Sequence, residues 1–353
     1  MLDQATTIRS GEELNTKSLL AFFQTTFPAI DERVEITQFP SGFSNLTYLL
    51  RMVDKEWVLR RPPFGANVKS GHDMSREFKV LSGLHTVYTK VPTPVLLCED
   101  SAVLGAPFYL MERVSGVIIR KKIPVDFKRP DLLQRLSEET IDNLATIHQL
   151  DIETAGLANL GRPIGYVERQ IHGWTRRYAN AKTDEIPQMD TVSDWLERHR
   201  PSEVAPAIVH NDYKLDNLIL DPNTLSIKAV LDWEMATLGC PMMDLGCSLA
   251  YWVQADDPPE FQFLPLSATK DPGSLTRQQA VDRYCQRTGF PTDNLPFYYA
   301  YGLWRLAIII QQIYARYKRG HTKDPRFAIL INGVKILAQQ AIRVIDSQRI
   351  SAV

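Results

Sequence analysis

Between Ile208 and Leu220 the chain reads Ile-Val-His-Asn-Asp-Tyr-Lys-Leu-Asp-Asn-Leu-Ile-Leu. Apolar residues lead in, a polar knot follows, and an apolar run leads out, the pattern of a loop between short strands. A second short apolar run, Ala229-Val230-Leu231, delivers Asp232 at its end. Asp212 is a carboxylate that can orient an incoming hydroxyl and accept its proton. Asn217 offers a hard, neutral amide oxygen, and Asp232 a second carboxylate. Mg²⁺ accepts such sparse oxygen ligation and keeps waters and phosphate oxygens in its other positions. Lys214 places a point charge two residues after the first carboxylate, within reach of a transferred phosphoryl group. Phosphoryl transfer asks a protein mainly for positioning and charge neutralisation, and this set supplies both. His210 reads as a brace for the loop, because Asp212 already fills the role of base.

The spacing His-x-Asp-x-x-x-x-Asn is that of a kinase catalytic loop, and Asp232 stands where kinases carry a metal-binding acid. With Val230-Leu231-Asp232-Trp233-Glu234 and Asp244-Leu245-Gly246 added, the chain resembles the aminoglycoside phosphotransferase family of kinase-like enzymes. Within it, the chain is most similar to the branch that holds the kinase-like domains of acyl-CoA dehydrogenase family members 10 and 11. The resemblance runs from about Val34 to Ile345. It implies a two-lobed, protein-kinase-like α+β fold, with a small antiparallel β lobe carrying one main helix and a larger, mostly helical lobe. The expected division is 1–113 for nucleotide binding and 114–353 for catalysis and acceptor binding. The implied cofactors are ATP and Mg²⁺, and the implied partner is a small molecule with a hydroxyl group. The resemblance also implies that the main chain from Glu112 to Val114 meets the adenine edge. It gives Asp244 a bracing role on the catalytic loop, although an ordinary N-cap acid reads the same way. It further implies that the last helices wall the acceptor site, where Trp304 and Arg305 stand as contacts or, for the tryptophan, as core.

Upstream elements must present the phosphates. Val34 to Phe39 alternates as a half-buried strand, then Pro40 to Thr47 forms a small polar turn, then Tyr48 to Met52 runs on as strand. Ser44, Asn45 and Thr47 offer donors to phosphate there; a plain β-hairpin is the competing reading. Trp57-Val58-Leu59-Arg60 lies where kinases have Val-Ala-Ile-Lys, so Arg60 takes the place of the phosphate-contacting lysine. Arginine keeps its charge and grips phosphate bidentately; Arg61 competes for the role. Met74, Phe78, Leu81 and Leu84 recur at helical spacing, and Glu77 points to the same face. A carboxylate buried there needs a cation, and Arg60 is the natural one; a solvated surface glutamate is the alternative.

The 353 residues carry 40 basic and 41 acidic side chains, for a net charge of -1. That balance excludes a charge-driven nucleic-acid binder. Cys98, Cys240, Cys247 and Cys285 are scattered, with no Cys-x-x-Cys pair, which favours reduced core thiols over a disulfide framework or zinc site. The N-terminal residues lack a basic and apolar leader, and Leu306 to Ile310 is too short an apolar run to span a bilayer. The expectation is a cytoplasmic enzyme with no membrane partner; the oligomeric state is unreadable.

The link between the strands near 95–98 and 107–111 passes through Glu99-Asp100 and Gly105, and 255–276 reads as a polar loop. Helical stripes follow near 132–150, 164–178, 191–200, 297–317 and 326–346. His148 reads as a hydrogen-bonded core histidine. Trp174, Arg176, Arg177 and Tyr178 read as a solvated basic face or as part of a cleft. Gly302, Trp304 and Arg305 interrupt the helix near 297–317. No acidic cluster marks the last third, whereas Arg305, Arg316, Tyr317, Lys318 and Arg319 do stand there. That composition favours a neutral or anionic acceptor, such as a hydroxyacyl-CoA-like molecule, over a polycationic aminoglycoside. Two rivals remain: a regulatory pseudokinase, favoured by Arg60 and the glycine-poor turn, and a metal hydrolase built on His210, Asp212 and Asp232, which lacks further ligands at useful spacing.

Overall fold

The computed structural model describes residues 3–28, 33–40, 45–65, 73–322 and 324–352. The chain runs α1 (Thr16–Thr26), β1 (Glu35–Gln38), β2 (Leu46–Arg51), β3 (Glu56–Arg61), α2 (Met74–His85), β4 (Pro94–Cys98), α3 (Ser101–Leu104) and β5 (Phe108–Glu112). Next come α4 (Pro130–His148), α5 (Tyr166–Ala181), α6 (Pro187–Arg198) and β6 (Ala207–Val209). Then follow β7 (Leu218–Leu220), β8 (Ile227–Val230), β9 (Thr237–Gly239), α7 (Pro241–Ala250) and α8 (Pro259–Gln262). The chain closes with α9 (Arg277–Thr288), α10 (Leu295–Lys318) and α11 (Leu330–Ser347). It divides into two compact units. The first holds residues up to Ile118, Glu153–Leu157 and Leu218–Ala236; the second holds the rest.

In the first unit a five-stranded antiparallel sheet has the order β1-β2-β3-β5-β4. Strand alternation decides which residues meet which helix. Tyr48, Leu50, Trp57, Leu59, Phe108 and Leu110 form one face and join Leu19 and Phe23 of α1 in a common core. The residues between them, Val58, Arg60 and Tyr109, therefore belong to the opposite face, and α2 packs on this sheet at β4 and β5. Asp73 caps α2 by accepting the Arg76 N–H at 2.9 Å. The hairpin β7–β8, which ends at Asp232, is also part of this unit. The link from β4 to β5 is not a plain turn: Asp100 caps the short α3, and Gly105 closes it at φ 80°. A left-handed C-terminal residue favours glycine.

In the second unit α10 is the axis. It is buried for most of its length and packs against α5, α6, α7 and α11. The expected interruption at Gly302 does not occur; α10 is continuous from Leu295 to Lys318. A Cβ on Gly302 would stand 2.1 Å from the Gly246 carbonyl oxygen, and one on Gly246 2.1 Å from that of Tyr298. The two glycines serve close helix–helix approach between α7 and α10. Helix α11 with its leading turn is long and apolar enough to cross a membrane. Its stripe of Val334, Leu337, Ala338, Ala341 and Val344 is nevertheless buried within the unit. The segment 255–276 is more ordered than a polar loop: it contains α8, and Phe261 is fully buried. Asp257 there forms a fully buried pair with Arg277, whose Nε donates to the Ile350 carbonyl at 2.6 Å.

Candidate active site

The catalytic loop leaves β6 and is strapped before it reaches its acids. Asp244, in the first turn of α7, is fully buried and accepts the His210 N–H at 2.7 Å and the Asn211 N–H at 2.8 Å. His148 Nε2 lies 3.1 Å from the same carboxylate, and its Nδ1 meets the Tyr284 hydroxyl at 2.5 Å. Burial alone would raise the Asp244 pKa, but the hydrogen bond and charge of His148, with His210, hold it below its ordinary value. Asp244 is thus a loop brace rather than an N-cap, and His148 is the hydrogen-bonded core histidine the sequence indicated. His210 Nδ1 accepts the Asp212 N–H at 3.2 Å, a bracing contact within the loop.

Asn211 adopts a left-handed conformation, φ 65°, which asparagine tolerates better than most residues. Its conformation is held from several sides. The Tyr166 hydroxyl donates to its side chain at 3.0 Å, and Arg305 Nη2 donates to its carbonyl at 2.8 Å. Such over-determination is what keeps a sparsely populated backbone state in place. Arg305 is therefore buried as a strap on the loop, and Trp304 is core, with Nε1 donating to Met189. Tyr213 anchors the loop to α4 by donating to Thr140 at 2.9 Å.

On this frame Asp212 gathers donors. Lys214 Nζ reaches both carboxylate oxygens, at 2.9 and 2.8 Å, and Asn217 Nδ2 donates at 3.0 Å. Tyr251 directs its hydroxyl at the same carboxylate from 3.4 Å. Burial and then the Asp212 charge push the Tyr251 pKa up. Burial alone would lower that of Lys214, yet Tyr251 and Asp212 hold it above the ordinary lysine value. Asn217 Nδ2 also donates to the Asp212 carbonyl at 2.8 Å. An amide oxygen could not sit against that carbonyl, so the orientation of the Asn217 amide is fixed, with its NH₂ group toward Asp212.

In the first unit the charges converge on Arg60. Its Nη1 lies 3.1 Å from Glu77 and its Nη2 2.9 Å from Asp232, with Glu234 at 3.9 Å. Both Arg60 and Glu77 are buried. Arg61 is excluded from this cluster by strand parity; it donates to the Leu104 carbonyl and stacks 3.8 Å over Phe64. Burial pushes the Glu77 pKa up to about 7 against the opposing pull of Arg60, and Asp232 adds to the rise. Among the described residues, Arg60 Nε is buried without a hydrogen-bond partner. Asp232 itself stands at φ 68°, a second left-handed residue at a strand end. Glu77, Asp232 and Glu234 thus gather around one guanidinium, and carboxylates are what a divalent cation seeks. Asp232 and Glu234 are of the oxygen type that Mg²⁺ takes, so the residues present fit that ion. Among the described residues no cluster of three or more His, Cys, Asp or Glu is placed to hold a metal ion.

Asn45 is buried and donates to Glu234 at 2.7 Å. Thr47 lies on β2 in register with Arg60. Ser44 lies outside the described residues. At the end of β5, the Glu112 N–H donates to Thr93 and the Arg113 N–H to Glu56, at 2.8 and 3.1 Å. By strand parity, the Glu112 carbonyl and the Val114 N–H are the next acceptor and donor on the β4 side. Tyr251 and Glu234 took no role in the sequence reading. Tyr251 follows α7 with no motif around it, while Glu234 sat in plain view two residues after Asp232.

The first unit thus holds a buried arginine paired with a helix glutamate and Asp232, and the second a loop carboxylate with a fixed amide beside it. The chain belongs to the phosphotransferase enzyme family APH, whose model matches residues 35–264. It is similar to acyl-CoA dehydrogenase family member 10 of Mus musculus, 37% identical over 82% of this chain and 27% of that protein. It is also similar to family member 11 of Rattus norvegicus, 33% identical over 94% of this chain and 43% of that protein. The chain thus spans less than half the length of these relatives. Among solved structures, a candidate aminoglycoside phosphotransferase from Ralstonia eutropha JMP134 superposes with a TM-score of 0.81 at 31% identity, covering 95% of this chain and 99% of that one. A GDP complex of an aminoglycoside 2′-phosphotransferase shares the fold, with a TM-score of 0.62 at 16% identity over 95% and 100% of the two chains.

Proposed function

We propose that the chain is an ATP- and Mg²⁺-dependent kinase that transfers the γ-phosphoryl group to a hydroxyl of a small molecule. The observation that carries this reading is the set of three donors on Asp212, from Lys214, Asn217 and Tyr251, within a loop fixed by Asp244. Asp212 orients the acceptor hydroxyl and takes its proton. Lys214 gives positive charge to the phosphoryl oxygens, and Tyr251 keeps the carboxylate in place. Asn217 and Asp232 are the proposed Mg²⁺ ligands; the ion, when bound, neutralises the nucleotide's phosphate charge. Arg60, held by Glu77, binds phosphate, with Asn45, Thr47 and Ser44 as further donors. The Glu112 carbonyl and the Val114 N–H are the proposed contacts for the adenine edge.

For the acceptor we favour an anionic molecule of the hydroxyacyl-CoA type. The support is twofold. Arg120, Lys121 and Lys214 all act on Asp216, within the catalytic loop, and the curated relatives carry acyl-CoA dehydrogenase in their names. One observation favours the pseudokinase reading instead: Arg60 engages Asp232 directly at 2.9 Å. Calorimetry of ATP binding with and without Mg²⁺, on the wild type and on Asp232→Ala, separates the two. A metal-dependent increment lost in the variant, followed by turnover with hydroxyacyl-CoAs and not with aminoglycosides, is the expected outcome. Metal-independent binding without turnover of any hydroxyl acceptor establishes the pseudokinase.

A further inference from the structure

The arginines late in α5 and at the end of α10 take no part in the scheme above, yet they meet. A groove of about 320 Å³ is lined by Arg177, Asn180, Gln312, Arg316, Arg319 and His321, with no carboxylate in its wall. Three guanidinium groups and an imidazole therefore face one space. Arg177 and Arg316 form no ion pair among the described residues. Cations in the last turn of a helix are an ordinary response to its dipole. That accounts for Arg316 on α10, but Arg177 stands more than one turn before the end of α5. Nor do the last carbonyls of α10 need the arginines. Gly320, at φ 78°, lets its own N–H bond Tyr317 and the His321 N–H bond Arg316, both at 2.9 Å, and so brings His321 back over the groove. Arg319 Nη2 donates to the Asn180 carbonyl at 2.8 Å, which pins the two helix ends together.

The groove is wired to the catalytic loop. The Arg177 guanidinium lies 4.7 Å from the centroid of the Trp174 ring, and that of Arg305 lies 5.1 Å from it. Arg305 in turn donates to the Asn211 carbonyl. Eleven residues of α10 separate Arg305 from Arg316, about 16 Å of helix, so the groove does not hold the reacting atoms.

We propose that this groove is a second binding site, for a phosphate-bearing small anion, whose occupancy reaches the catalytic loop through Arg177, Trp174 and Arg305. Arginine forks suit phosphate oxygens bidentately. An anion would relieve the crowding of like charges that the groove otherwise carries, and the volume admits one or two phosphoryl groups rather than a polymer. The proposal does not depend on the acceptor or on turnover.

Inorganic pyrophosphate is the probe. Its affinity is measured by calorimetry, at constant ionic strength set with sodium chloride, for the wild type, Asp232→Ala and the double variant Arg316→Ala/Arg319→Ala. Tryptophan emission is followed in the same titrations and in Trp174→Phe. The expected result is saturable binding that Asp232→Ala leaves intact and that the double variant weakens at least about tenfold. An emission change absent from Trp174→Phe is also expected, while that variant still binds. Circular dichroism of the double variant should match the wild type, because both arginines are exposed. Equal affinity in the double variant overturns the site, as does affinity shifted in either direction by Asp232→Ala, which frees Arg60 and would assign the pyrophosphate to the nucleotide pocket. An unchanged emission signal in Trp174→Phe overturns the coupling.

Discussion

Asp244→Asn changes one oxygen to an amide nitrogen at almost constant volume, so its effect isolates charge and hydrogen bonding. One carboxylate oxygen takes the His210 N–H at 2.7 Å and faces His148 at 3.1 Å; the other takes the Asn211 N–H at 2.8 Å. An asparagine can present a single oxygen. The better orientation keeps it toward His210 and His148 and sets the NH₂ group against the Asn211 N–H. That strands a buried main-chain donor, at about 1–3 kcal/mol. The remaining two bonds lose their charge assistance, about another 1 kcal/mol. The expected loss is about 3 kcal/mol, or roughly 4 °C in the unfolding midpoint for a chain of this size. The pH dependence follows from the depressed Asp244 pKa. Its contribution is fully present above the ordinary carboxylate range and is lost as pH falls through the depressed value. The gap between wild type and variant should therefore hold from pH 8 down to pH 5 and close only in stronger acid. Thermal unfolding by circular dichroism across that range is the assay. A midpoint within about 1 °C of the wild type at pH 7 would show that the loop is held by something other than this carboxylate.

Asp212→Asn is expected to lower kcat by about 10²–10⁴-fold while leaving nucleotide affinity near the wild-type value; a comparable loss in both would place Asp212 in nucleotide binding instead. Glu77→Gln tests the raised carboxyl pKa. A group whose folded pKa lies near 7 contributes stability that is present below its ordinary pKa and lost as pH rises through 7. Urea unfolding from pH 5 to pH 8 should accordingly show the wild type losing stability relative to the variant, and parallel curves would refute the shift. Arg277→Met leaves Asp257 buried without its partner and frees the Ile350 carbonyl; a loss of about 3–5 kcal/mol is expected by chemical denaturation.

Much of the site was legible because its spacing is local. Asp212, Lys214 and Asn217 lie within six residues of one another, and the structure joins them by direct hydrogen bonds. The pair of Arg60 and Glu77 was also readable, since strand parity and helical periodicity each give a direction. Parity also chooses between Arg60 and Arg61, because one strand position sends a side chain to the opposite face. What stayed hidden depends on contacts between distant segments. Tyr251 reaches Asp212 across 39 positions, and Arg305 reaches Asn211 across 94. Gly302 was misread for the same reason: a glycine within a helix signals a break locally, and only the backbone of α7 beside it supplies the true cause.

The cluster at Arg60 shows why arginine suits a position where a lysine would be the common choice. A lysine offers one point charge, which would sit between Glu77 and Asp232 and satisfy neither geometry fully. The guanidinium presents Nη1 to Glu77 at 3.1 Å and Nη2 to Asp232 at 2.9 Å. It thereby ties a helix residue to a strand-end residue through one planar group. Glu234 and its Asn45 donor extend the cluster. Three carboxylates gathered here carry a deficit of solvation that burial makes expensive. Burial raises the Glu77 pKa, so a shared proton is one way to meet the deficit, and a divalent cation at Asp232 is the other. The two responses compete for the same negative charge. Binding of Mg²⁺ should then release protons near neutral pH, and their number should fall as pH rises above 7. Titration of Mg²⁺ into unbuffered protein with ATP or ADP present, followed with a pH electrode and corrected by the same titration of nucleotide alone, whose phosphate also releases protons to Mg²⁺, measures this. Proton release that is absent, or that is undiminished in Glu77→Gln, would mean that the metal and Glu77 are not linked.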